Sequence, residues 1–144
     1  MTSLAQRQAD LVAALTSGAA VPPGFDARLV EVARLALLSK RAGEVARQWP
    51  DLALALGTGW RRQWSAWAAT RPTRGSLRDG WDLARDLRDR GALPAVAGAE
   101  LATREATMSY DGQDPPRPRR GPAVGRAGTA VVVQAFGRVR TVRS

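Results

Sequence analysis

Apolar residues recur three and four positions apart through the first hundred residues, and the pattern is interrupted where glycine or proline stands. Leu4, Leu11, Val12 and Leu15 share one stripe, with Thr2 or Ser3 available as N-cap and Gly18 as a stop, which predicts a helix over 4–16. Asp26 opens a second helix through about Lys40, on Leu29, Val30, Ala33 and Leu37. Leu35 and Leu38 lie off that stripe, so this helix is expected to be central. A third helix is expected over 42–48. It stops at Trp49 because the residue before a proline is pushed out of the α region, and Pro50 suits the first turn of the next helix, over 50–56. Gly57 is the expected C-cap.

Trp60, Trp64 and Trp67 follow at i, i+4 and i+7, and Pro72 closes that helix. Such a stripe reads either as a stacking platform for bases or as the core-facing side of an amphipathic helix. In a domain with few other aromatics the second reading is favoured, so Trp49, Pro50, Trp60, Trp64, Trp67 and Trp81 are assigned to the structural core. Ser76 to Asp79 reads as a capping-box-like start, with Leu77, Trp81, Ala84 and Leu87 on the buried side. Asp82, Arg85, Asp86, Arg88, Asp89 and Arg90 form a mixed-charge outer side, expected to pair within the helix rather than to form a catalytic or metal site. Pro94 opens a last helix through about Met108, with Val96, Leu101 and Ala102 inward.

From Tyr110 the helical period disappears and proline, glycine and arginine dominate, which predicts an extended linker. Alternating β-branched residues then predict strands at 129–134 and 138–143 around a tight connection at 135–137. The organisation expected is a mainly α bundle of about six to seven helices over 1–110, a basic linker over 111–128 and a β-hairpin over 129–144. A lone hairpin is marginally stable in water, so it is expected to dock on the helices or on another chain.

Composition narrows the chemistry. The 144 residues contain no cysteine and no histidine, which removes disulfides, thiolate metal sites and every Ser-His or Cys-His nucleophile pair. No phosphate-binding glycine loop and no metal-ligand spacing is present, so no cofactor and no enzymatic activity of the chain itself is expected. The start has neither a basic n-region nor an apolar h-region, and no apolar run is long enough to span a membrane. A cytoplasmic location without membrane partners is the expectation.

The net charge of +9 is unevenly spread. Residues 1–114 hold 15 basic and 13 acidic residues, whereas 115–144 hold seven arginines and no acid. Such a tail suits an anionic partner, so sequence-nonspecific nucleic-acid binding is one reading. The other places binding on the hairpin: an edge at Val131, Val132 and Val133 for strand addition by an extended peptide, with Arg138, Arg140 and Arg143 drawing an acidic segment.

Several stretches in order, LAQRQADLVAAL, KRAGEVARQWPDLALALG, GSLRDGWDLARDL and LPAVAGAELATREATMSYD, carry a family resemblance over about residues 4–110. The sequence resembles the helical domain, once labelled DNA-binding, of accessory proteins of the multinuclear iron-dependent oxidases of methanobactin and bufferin biosynthesis. It looks like a compact actinobacterial branch. The matching motifs are Trp49-Pro50 ahead of a Leu-rich turn ending at Gly57, and Leu93-Pro94 ahead of Glu100 or Glu105. The resemblance implies an adaptor that binds the oxidase and helps recruit a ribosomally made precursor peptide. The family's β-rich peptide-engaging region is reduced here to the linker and hairpin.

Overall fold

The computed structural model describes residues 1–127, 130–135 and 138–143, and excludes the side chains of 127, 130, 135, 142 and 143. The mainly α class holds, and the elements begin where the local chemistry sets them. Helix α1 (Leu4–Ser17) starts at Ser3, whose hydroxyl accepts the Gln6 N–H at 3.1 Å, and ends at Gly18 in the left-handed region, φ 70°. Helix α2 (Ala27–Gln48) starts at Asp26, whose carboxylate accepts the N–H groups of Arg28 and Leu29.

Helix α2 runs unbroken, which corrects the expected division into helices over 26–40 and 42–48 and leaves one helix fewer. Arg41, Ala42 and Val45 are all buried along its second half, so packing carries the helix across Gly43. Its buried face is formed by Val30, Leu38, Arg41, Ala42 and Val45. Leu29, Ala33 and Leu35 are exposed, as are Leu4 and Val12 of α1, so the expected stripes of these two helices are only partly the buried ones.

The break at Trp49 and Pro50 falls where the sequence places it. Trp49 leaves helical geometry at φ −126° and ψ 66°, and α3 (Pro50–Leu56) starts at once with proline in its first turn. Pro50 is itself exposed, which corrects its assignment to the core: its role is to start a helix. A 3-10 turn (Gly57–Gly59) leads into α4 (Trp60–Ala68), followed by α5 (Ser76–Asp89) and α6 (Ala95–Thr107). The inward side of α6 is Ala97, Gly98, Leu101, Ala102 and Ala106, while Val96, expected inside, faces solvent.

Tryptophans form the centre of the core. Trp49, Trp64 and Trp81 are fully buried, Trp60 nearly so, and Trp67 is half-buried at the margin. Trp49 donates its indole N–H to the Leu77 carbonyl at 3.0 Å and meets Trp81 edge to face, with ring centroids 5.8 Å apart. Trp64 donates to the Leu38 carbonyl at 3.1 Å. These bonds satisfy buried donors and fix the rings' orientation, which hydrophobic burial alone does not do.

The chain after α6 departs most from expectation. Strand β1 (Met108–Ser109) pairs with β2 (Arg117–Pro118), and the turn between them is tied to α5 and to the loop ahead of it. Arg74 donates to the Gly112 carbonyl, Arg78 to that of Gln113 and Arg85 to that of Tyr110. Strand β3 (Ala123–Ala127) lies inside the expected linker and pairs antiparallel with β4 (Ala130–Ala135), which pairs antiparallel with β5 (Arg138–Arg143). The sheet therefore has three strands in the order β3-β4-β5, not two. Thr129, the expected first strand residue, and most of the expected connection at 135–137 lie outside the described residues.

The sheet packs on α6. Val132 is fully buried there, and Gly125 is what permits the approach: a Cβ on it would lie 1.8 Å from the Ala102 carbonyl oxygen. Only a residue without a side chain fits between that strand and that helix.

Candidate partner-binding surfaces

Antiparallel pairing puts directly opposite residues on the same face of a sheet. Gly125, Val132 and Thr141 form one such row, and the burial of Gly125 and Val132 marks it as the face against α6. The opposite face carries Val124, Val133 and Arg140 in one row and Arg126 beside Val131 in the next. Val124, Val133, Arg126 and Arg140 are exposed and Val131 is half-buried. Arg138 is exposed on β5, and the side chain of Arg143 lies outside the described residues.

The three valines proposed as a strand edge are thus separated by the structure. Val132 points into the core, whereas Val131 and Val133 point outward. Their strand is the central one, with both backbone edges paired, so it cannot accept a further strand; this corrects the reading of 131–133 as an open edge. The outer strands of the sheet are β3, absent from the sequence reading, and β5, which carries Arg138 and Arg140. What the fold offers is an outward valine surface with arginines on it and beside it.

A second concave region lies between α4, the 69–75 loop and α5. Trp67, Arg71, Pro72, Arg74, Asp79 and Asp82 line a cavity of about 420 Å³. The carboxylates of Asp79 and Asp82 are both paired with arginines. The Asp79 carboxylate, buried, accepts from the Arg41 guanidinium at 3.3 Å, the Thr73 hydroxyl at 2.7 Å and the Arg74 backbone N–H at 2.9 Å. Asp82 accepts from the Arg74 guanidinium and from the Tyr110 hydroxyl. Burial holds the Tyr110 phenol above its ordinary value, so it is a neutral donor at neutral pH. Arg71 lies over the Trp67 ring, 4.7 Å from its centroid.

This network revises the expectation for α5. Asp86–Arg90 and Arg88–Asp89 are ion pairs within or beside the helix, but Asp79, Asp82 and Arg85 reach to other elements. Asp79 does not close a capping box on Ser76; it anchors the loop ahead of the helix. Sequence spacing gives partners along one helix, and these partners come from α2, the loop and Tyr110.

The two acids after Leu93-Pro94 have separate structural roles. Glu105 binds Arg85 at 2.9 Å and Arg88 at 3.3 Å, holding α6 to α5. Glu100 accepts the backbone N–H of Leu52 at 2.8 Å, at the N-terminus of α3. Neither Trp49 nor Pro50 supplies a side-chain cap there, so α6 provides the anion that the helix terminus favours. Burial raises the Glu100 pKa; its backbone hydrogen bonds and Arg104 act against that rise. Arg104 lies over the Trp49 ring, 4.3 Å from its centroid, and donates to the Gln48 carbonyl, closing the same joint.

Among the described residues no group of three or more Asp and Glu side chains is placed to hold a metal ion, and no helix is long and apolar enough to cross a membrane.

Comparison with known proteins gives one family and one relative. The model of the family described as SCO6045-like, C-terminal domain, matches residues 5–89, from the start of α1 to the end of α5. A protein of Streptomyces avermitilis described as a UPF0276 protein is 34% identical over 132 residues. Those residues make up 91% of this chain and 27% of the relative, so the chain spans about a quarter of that protein's length. No solved structure is a significant match.

Proposed function

The chain belongs to the SCO6045-like C-terminal-domain family; we propose that it is a non-catalytic adaptor. In this reading it binds a multinuclear iron-dependent oxidase and helps present a ribosomally made precursor peptide to it. The observation that carries the reading is that this unit recurs as about a quarter of a longer protein. There it stands beside a much larger remainder, the arrangement an accessory module would have. The resemblance of residues 4–110 to oxidase accessory domains supplies the partner class.

The surfaces suit such a role. The helical body commits its buried charges to internal pairs, and the outward face of the sheet presents Val124 and Val133 with Arg126 and Arg140. An extended acidic segment fits this chemistry, with apolar side chains on the valines and carboxylates on the arginines.

The test is co-purification. The tagged chain is co-expressed with a candidate multinuclear iron-dependent oxidase from the same genome, and the mixture is run by size exclusion in 0.5 M salt, where electrostatic reach falls to about 4 Å. A stoichiometric complex that persists is the expected result. Absence of that complex, with binding to arbitrary DNA that weakens steeply as salt rises, overturns the adaptor reading. It would leave sequence-nonspecific nucleic-acid binding through the arginine-rich tail as the function.

A further inference from the structure

Helix α2 has a second apolar face that the core does not use. Leu29, Val32, Ala33 and Ala36 stand at i, i+3, i+4 and i+7, one stripe along the helix, with Leu35 beside it. The buried residues of the same helix, Val30, Leu38, Arg41 and Val45, lie on the opposite side. Leu29 is 68% exposed, Val32 65% and Leu35 52%, and Ala33 and Ala36 are exposed as well. Single exposed apolar residues need no explanation, but a stripe at helical spacing on the wrong side of a helix does. Together the stripe residues expose on the order of 300 Å² of apolar surface, comparable to the largest apolar patch of an ordinary monomer, which is often functional.

We propose that this stripe is the docking surface for the protein that the domain accompanies, and that it receives an apolar helix face of that protein. The proposal rests on the adaptor reading and names its contact surface. The occupant follows from two facts. The family match, residues 5–89, contains the whole stripe and stops before α6 and the sheet, so the stripe belongs to the unit the family shares. In the longer relative the matching unit accounts for 27% of the chain, so in that protein a larger remainder is tethered to it. A tethered partner is present at high effective concentration and keeps an apolar stripe covered. The stripe has the i, i+3, i+4, i+7 spacing that matches another helix laid along it. The sheet face is left free for a peptide.

The test uses the full chain, the same oxidase and the double variant Leu29→Glu, Val32→Glu. Both side chains are exposed, and position 29 lies in the first helical turn, where an acid is favourable, so the variant should keep the wild-type circular dichroism and melting midpoint. Its complex with the oxidase should be about 100-fold weaker or lost, since it places charge in the centre of an apolar contact. The milder Leu29→Ala, Val32→Ala pair should weaken it by about 10-fold or more. Val124→Asp on the sheet should leave oxidase binding unchanged. If the wild type binds and both stripe variants bind equally well, the surface assignment is overturned while the adaptor reading stands. If the wild type instead self-associates through the stripe, and its variants become monomers that still bind oxidase, the occupant is a second copy and the proposal is overturned. If the wild type does not bind at all, both the surface assignment and the adaptor reading are overturned.

Discussion

Two glycines inside helices should respond to the same substitution with opposite signs, and the comparison isolates one contact. Gly43 lies within α2 and a Cβ there meets nothing within 4 Å. Gly80 lies within α5, and a Cβ there would sit 2.1 Å from Trp49 Cδ1, 2.4 Å from Nε1 and 2.7 Å from Cγ. Replacing glycine by alanine inside a helix should by itself stabilise by about 0.5–1 kcal/mol. Gly43→Ala should show that gain. At Gly80 the indole has to move by more than 1 Å to restore van der Waals distance, and it is not free to move. Its N–H is bonded to the Leu77 carbonyl, its face is covered by Arg104 and its edge contact is with Trp81. Overpacking costs about 1–3 kcal/mol, loss of the indole hydrogen bond about 1 kcal/mol and loss of the aromatic contact about 0.5–1.5 kcal/mol. After the helix gain is subtracted, Gly80→Ala should destabilise by about 1.5–5 kcal/mol. Urea unfolding of the two variants and the wild type, followed by tryptophan fluorescence, measures both numbers. Near-ultraviolet circular dichroism should change for Gly80→Ala and not for Gly43→Ala. A Gly80→Ala protein as stable as the wild type would refute the account of Trp49 as a ring locked against α5.

Other expectations test the remaining joints. Gly125→Ala should lift the sheet from α6, so that trypsin cuts at exposed Arg126, Arg138 and Arg140 well before it degrades the helices; an unchanged cleavage pattern would count against the docking. Asp79→Ala should cost about 3–5 kcal/mol in urea unfolding, because it leaves the Arg41 guanidinium buried without its partner; a cost below about 1 kcal/mol would show that the pair is not buried in solution. Glu100→Ala should cost about 0.5–2 kcal/mol at neutral pH through the lost cap on α3, measured the same way. Burial raises the folded pKa of Glu100 above its ordinary 4.5, so the native state keeps the proton to higher pH than the unfolded chain. The stability added by protonating this group is fully present below the unfolded value and is lost as pH rises through the raised folded value, while the hydrogen bond from the Leu52 N–H remains above it. Glu100→Gln should therefore flatten the fall in stability across that window, and an unchanged pH profile would refute the assignment.

Much of the helical body was legible because its boundaries are set by neighbouring residues. Ser3, Asp26, Pro50 and Gly18 act within a turn of themselves, and each begins or ends its helix as local chemistry dictates. The undivided α2 was not legible, because the burial of its second half depends on Asp79 and Trp64 elsewhere in the chain. β3 was missed for a related reason. The segment around Ala123 to Ala127 is rich in glycine, arginine and alanine and has no strand-like alternation of its own, so it reads as linker. It becomes a strand because β4 supplies its hydrogen bonds and because Gly125 lets it approach α6. No single segment contains that information.

The same limit explains why the candidate surfaces shifted. Val131 to Val133 looked like an edge because alternating β-branched residues identify a strand, and a strand's neighbours are not written in its own sequence. Once β3 is present β4 becomes central, and the binding chemistry moves to the sheet's outer face, where Val133 and Arg140 share a row with Val124. In α2 the ambiguity is of another kind. Leu29, Val30, Val32, Ala33, Leu35, Leu37 and Leu38 include two apolar faces, and periodicity gives no means of telling which one meets the core. Packing decides it: Val30 and Leu38 go inward because Trp64 donates to the Leu38 carbonyl and Arg41, on the same side, reaches Asp79. That choice leaves Leu29 and Val32 on the outside. A helix whose sequence seemed apolar enough to lie at the centre of the domain is, over its first half, at the surface. Its surplus hydrophobicity is what the docking proposed for Leu29 and Val32 would bury.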